Sequence, residues 1–271
     1  MPKRPNFLIF VIDQMRADWL GCTGHPAVRT PYIDAIAARG TSFTDCHVAA
    51  PVCMPGRASL MTGRMPQVHS VRYNGLPLPR RAYTFADVLA TAGYDTALIG
   101  KSHLQPFTDK PPLRAADTAD RLIPEAWAPD GARYDQEEPA TYRAPGGGRF
   151  DAPYYGFAHV DMVTGHGDKA GGHYDQWLRD THPDWCRWHA PAHQLPHGDT
   201  CPKAYRTPVP EDAHPPGVDR RPGGRVPRHP CERCGTVLRH GFLSRPAPPV
   251  QPARARLGHV RSRRFRHRPA V

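Results

Sequence analysis

The stretch "NFLIFVID", Asn6 to Asp13, constrains the fold more than any other. Six apolar residues run without interruption and an acid follows them. So short and continuous a run reads as a strand buried on both faces, the pattern of parallel sheets. Downstream, "TPYIDAIAARG" carries Thr30 at an N-cap position, Pro31 at the first helical position and Gly40 at the end, a complete helix signature. "TSFTDCHVAA" is β-rich, and "PGRASLMTGR" can begin a helix at Pro55. "YTFADVLATAGYDTALIGKSHL" reads as a helix from Thr84, a stop at Gly93 and a strand "DTALIG" that ends at Lys101. This alternation over residues 6–107 predicts an α/β fold, a mostly parallel sheet flanked by helices. Residues 108–200 are less periodic, with "APGGGR" as a loop.

A chain of 271 residues with 39% hydrophobic content can bury a sizeable core. No run approaches the roughly 18 apolar residues of a membrane span. The first apolar run meets Asp13 too early for a secretory leader and has no small-residue cleavage site, so a cytoplasmic location is expected. Seven cysteines at irregular spacing argue against a disulfide framework. The net charge of +11 suggests nucleic acid, but residues 215–271 alone hold 14 Arg, no Lys and two acids, which leaves −1 for residues 1–214. Only two aromatics, Phe242 and Phe265, fall among those arginines, which counts against a basic nucleic-acid-binding tail. The expected division is therefore an N-terminal segment, 1–214, and an Arg/Pro-rich tail, 215–271, whose composition predicts disorder. Within the tail, Cys231 and Cys234, flanked by His229 and His240, make half a zinc site without its second pair. Arg, Pro, Ala and Gly have GC-rich codons, and a reading frame that slips near His214-Pro215 gives this composition.

Chemistry concentrates in "PVCMPGRASLMTGR", Pro51 to Arg64. A lone cysteine is ordinarily a small buried thiol. Cys53, however, stands at a helix start that favours an anion, and Arg57 adds a fixed positive charge one turn in. The combination suits a nucleophile facing an anionic substrate; a packing role is the alternative for each. Cys53-Met54-Pro55-Gly56-Arg57, continued by "ASLMTGR", resembles the Cys-x-Pro-x-Arg signature of the sulfatase family, whose fold is alkaline-phosphatase-like. Gly56 stands where Ser or Ala is commoner, a departure expected to have little consequence.

The resemblance implies that Cys53 is oxidised by a formylglycine-generating enzyme to formylglycine, whose hydrate is the nucleophile. "FVIDQMRAD" resembles the family's first metal-binding strand. It implies Asp13, Gln14 and the modified Cys53 as ligands of a hard divalent cation, Ca²⁺ first, Mg²⁺ or Mn²⁺ as alternatives. Gln14 stands where many sulfatases have a second Asp and is familiar from the phosphonate monoester hydrolase branch. "IGKSHL" resembles the family's Gly-Lys-x-His-Leu element, implying that Lys101 and His103 bind and assist the transferring group; two residues apart, they share a face. "VRYNGLPLP" resembles a loop in which Asn74 reaches substrate, although Asn-Gly is also a plain turn. His166 and Asp168 read as turn residues rather than a metal site. Complete members of the family are longer and carry a later Asp-Asn or Asp-His pair, another lysine and another histidine. None is recognisable here, so the fold is expected to be incomplete and the metal site half built. The implied substrate is a small-molecule sulfate ester, with a phosphonate or phosphate ester as the rival.

Overall fold

The computed structural model describes residues 4–13, 15–108, 131–143, 150–189, 191–198, 200, 206–210, 213–214 and 237–243; of Asp168, Pro191 and 237–243 it describes the backbone alone. Gln14, the "APGGGR" loop and the cysteine pair at 231 and 234 lie outside the described residues.

Strand β1 (Leu8–Ile12) delivers Asp13 at its carboxyl end. The strand is not sealed on both faces: Leu8 and Phe10 are each 56% exposed, while Ile9 and Val11 are half-buried. With a period of two, one face packs and the other has no covering layer among the described residues. Helix α1 (Pro31–Arg39) starts and stops where its punctuation predicts. Thr30 does not cap it, however. Its Oγ1 accepts from the Gly21 N–H at 2.8 Å and donates to Asp34 Oδ1 at 2.7 Å, tying down the turn before the helix. No residue of α1 is buried, and Tyr32 and Ile36 face solvent. "TSFTDCHVAA" forms no strand. It is exposed almost throughout, and β-propensity alone makes no strand where no neighbour packs against it.

Helix α2 (Cys53–Thr62) begins two residues before Pro55. Asn74 supplies the reason: its Oδ1 accepts from the Met54 N–H at 3.0 Å, satisfying a donor the helix itself cannot. Pro55, inside the first turn, forfeits no helical bond. Gly63, at φ 64°, closes the helix with its N–H on Ser59 O. A short α3 (Pro66–His69) follows. Helix α4 (Phe85–Thr91) opens with a capping box. Thr84 Oγ1 accepts from the Asp87 N–H, and Asp87 Oδ2 accepts from the Thr84 N–H at 2.8 Å. Gly93, at φ 83°, then turns the chain into β2 (Asp95–Gly100), which ends at Lys101.

The middle of the chain adds α5 (Pro139–Arg143), β3 (His159–Thr164), β4 (Gly171–Gly172), α6 (His173–Thr181) and α7 (Trp185–His189). In the tail, Val237–Leu243 forms β5, a departure from the disorder that composition predicts for the tail. Four of its seven residues are apolar, a density that averaging over the tail conceals. It pairs in parallel with β1 (Leu8 opposite Arg239) and with β2 (Ala97 opposite Arg239). The sheet order is β1-β5-β2-β3-β4, parallel except for β4, so a mixed, mostly parallel sheet is confirmed. The main core packs Met54, Ala58 and Met61 of α2 against Leu98, Val160 and Met162 of the sheet, with Tyr154 and Phe157 closing it. Among the described residues, no helix is long and apolar enough to cross a membrane.

Candidate active site

The carboxyl ends of parallel strands are where open α/β sheets gather ligand-binding groups. Asp13 follows β1, Lys101 follows β2, and His166 lies two residues beyond β3. Asp13 Oδ2 lies 2.8 Å from Lys101 Nζ, 3.5 Å from His166 Nε2 and 3.7 Å from an Arg57 nitrogen. Lys101 Nζ also meets His166 Nε2 at 2.6 Å. Arg57 reaches inward from the first turn of α2, and its other terminal nitrogen donates to Lys101 O at 2.8 Å. One arginine thus fixes both the carboxylate and the lysine backbone. Cys53 is half-buried at the first residue of the same helix, close enough to Arg57 and Lys101 to bear on their electrostatics.

Burial decides much of the electrostatics. It acts to raise the Asp13 pKa, but Lys101, Arg57 and His166 outweigh it and hold the carboxyl below the usual range. Lys101 is wholly buried, which pulls its ammonium pKa down against the support of Asp13. His103 is buried beside Lys101 and Arg57, and burial first, then those charges, keep its imidazole neutral. Its ring lies on Phe107 at 4.0 Å between centroids, and its Nδ1 has no hydrogen-bond partner among the described residues. His166 is shifted down as well, by partial burial and by Lys101, although its side chain stays 44% exposed.

The structure therefore brings together Asp13, Cys53, Arg57, Lys101 and His103 from the sequence reading. Asn74, expected near substrate, is occupied at Oδ1 in capping α2. Gly56, expected to matter little, has a steric reason: a β-carbon there would lie 2.9 Å from Ala50 O. The sequence missed two members. His166 is in a turn, as expected, yet its ring joins the cluster. Glu137 holds the backbone behind His103, and no motif announces it.

The described residues do not fit a divalent cation. Among them, no group of three or more His, Cys, Asp or Glu is placed to hold a metal. The carboxylate that is present carries a lysine ammonium at 2.8 Å. A dication there meets the repulsion of that ammonium, and Asp13 is the one carboxylate of the cluster among the described residues, too few oxygen ligands for a hard cation.

The sheet carries its buried ionic cluster at the strand ends, beside a helix that opens on cysteine, an arrangement of the open α/β class. The sulfatase family pattern matches residues 5–181, and the chain belongs to the sulfatase family. It is 41% identical over 103 residues to the ulvan-active sulfatase of Formosa agariphila, covering 38% of this chain and 20% of that protein. It is 42% identical over 109 residues to human arylsulfatase A, covering 38% and 21%. The matched stretch thus spans about a fifth of these relatives' length. The solved phosphonate monoester hydrolase of Agrobacterium radiobacter shares the fold, with a TM-score of 0.62 and 24% identity over 93% of this chain and 43% of that one.

Proposed function

We propose that this chain carries the N-terminal part of a sulfate ester hydrolase whose nucleophile is made from Cys53. The observation that supports the reading best is the placement of Cys53 and Arg57 on the first turn of α2, beside Lys101 and Asp13. A formylglycine-generating enzyme oxidises the Cys53 side chain to the aldehyde at the expense of dioxygen, the sulfur leaving as sulfide, and water hydrates the aldehyde. One hydrate oxygen attacks sulfur, the ester S–O bond breaks, and the alcohol leaves with a proton. The second hydroxyl then loses its proton, the carbon–oxygen bond to the sulfate breaks, and aldehyde and sulfate are restored. Arg57 and Lys101 supply the positive charge that a sulfuryl group needs as its oxygens gain charge. His103, held neutral by burial and by the neighbouring cations, offers substrate oxygens one N–H donor and one acceptor nitrogen. The family's cation, for which the resemblance offers Asp13 and Gln14, enters no step here because the described residues do not accommodate it. The proposed catalytic segment is 1–214, and the frame slip near residue 214 is tested by the genomic sequence: a continuation of the family in no frame removes it.

Co-expression with a formylglycine-generating enzyme and mass spectrometry of the peptide containing Cys53 test the reading. An aldehyde in place of the thiol is expected, and a thiol left intact counts against it. Gln14 favours a second reading, hydrolysis of a phosphonate or phosphate ester by the same groups. Comparing turnover of an aryl sulfate and an aryl phosphonate by a frame-restored version separates the two.

A further inference from the structure

The loop after β2 carries Lys101 and His103, and a carboxylate from far along the chain sets its shape. Glu137, just ahead of α5, is completely buried. Its Oε2 accepts from the His103 N–H at 2.8 Å. Its Oε1 accepts from the Leu104 N–H at 2.8 Å, the Gln105 N–H at 3.0 Å and the Tyr154 hydroxyl at 2.5 Å. Three successive backbone donors converge on one side chain, an arrangement that elsewhere cradles an anion. His103 itself stands at φ 54°, a left-handed conformation that a residue with a β-carbon keeps only when its surroundings enforce it. Neighbouring bonds hold the two segments in register: the Gln136 N–H donates to Gln105 Oε1 at 2.9 Å, and Gln105 Nε2 donates to Arg133 O at 3.0 Å. A buried carboxylate is tolerated where hydrogen bonds fill its lone pairs, as these four do.

We propose that Glu137 is the positioning residue of the site, fixing the 103–105 backbone so that His103 keeps its left-handed turn and Lys101 its place beside Asp13. The geometric claim rests on these hydrogen bonds; its meaning for catalysis rests on the functional reading of Lys101 and His103. Glu137→Gln keeps the size of the side chain but turns one acceptor into a donor that faces backbone donors. In NMR spectra of the full chain, this variant is expected to speed amide exchange at His103, Leu104 and Gln105 about tenfold or more, the loss of a charge-assisted bond. The His103 ring resonances shift, while amides of β2 and β3 keep wild-type exchange. Tyr154→Phe removes one bond and leaves the charge; a smaller acceleration at Leu104 and Gln105 is expected. Unchanged exchange and unchanged His103 resonances in folded Glu137→Gln overturn the inference. Should that variant fail to fold, unchanged exchange in Tyr154→Phe overturns it instead. Inorganic sulfate titrated into the wild type separates the two claims. Absence of a response at Lys101 and His103 overturns the functional reading, and the exchange result decides the inference regardless.

Discussion

At pH 6.5 an ordinary imidazole is about half protonated, and His103 is not ordinary. Its ring is buried against Phe107 with two cationic side chains nearby, so its folded pKa lies below the unfolded one. The sign follows directly. As pH falls past about 6.5 the unfolded chain takes a proton at this residue and the folded chain does not, so the contribution is full above that pH and declines below it. The slope reaches about 1.4 kcal/mol per pH unit for this group alone. Ring resonances of His103 that stay constant from pH 7.5 to 5 are the expected result, and a midpoint near 6.5 would contradict the burial described. The residues legible in the sequence were those with local punctuation. Asp13 ends an apolar run, Cys53 and Arg57 flank a helix-starting proline, and Lys101 and His103 end a strand. Glu137 and His166 have no such neighbours, because what gives them meaning is proximity across 34 and 65 residues of chain.

Among the elements, α4 shows how closely a local signal can match the result. Thr84 caps the helix through Asp87 and also donates to Tyr155 O at 2.8 Å, joining the helix start to the turn ahead of β3. Thr84→Ala should lower stability by about 1–2 kcal/mol, read as a shift in urea midpoint at unchanged slope. Helix α2 was legible in existence but not in its start, since the group that admits two extra residues is Asn74, twenty positions on. Strand β3, "HVDMVT", alternates half-buried and buried positions, yet its His and Asp blur the alternation that would have disclosed it. Helix α6 buries only Tyr174 and Leu178, four residues apart, too sparse a stripe to stand out from its polar setting. β5 was hidden for another reason: pairing on both sides with β1 and β2 makes a central strand of a segment that holds Arg239, His240 and Gly241.

For the molecule as a whole, the cluster around Asp13 is closed by its own cations rather than open to a foreign one. A cation at a thousand times its Kd would add about 4 kcal/mol to stability. Ca²⁺ or Mg²⁺ is expected instead to leave the thermal midpoint unchanged, and a rise of several degrees would show that ligands beyond the described residues complete a site. The overall architecture was readable because alternating helix and strand signals leave few ways to build a sheet. Which faces would be covered was not, because covering depends on partners that periodicity does not name. The uncovered ones leave a calorimetric trace. Leu8, Phe10, Tyr32, Ile36, Phe43 and Val48 already meet water in the folded state, so unfolding adds little hydration at those side chains. The heat-capacity increment per residue over this part of the chain therefore falls below the usual value of about 12–15 cal/mol/K. A smaller increment flattens the dependence of stability on temperature, so this region loses its hold gradually on warming and on cooling alike.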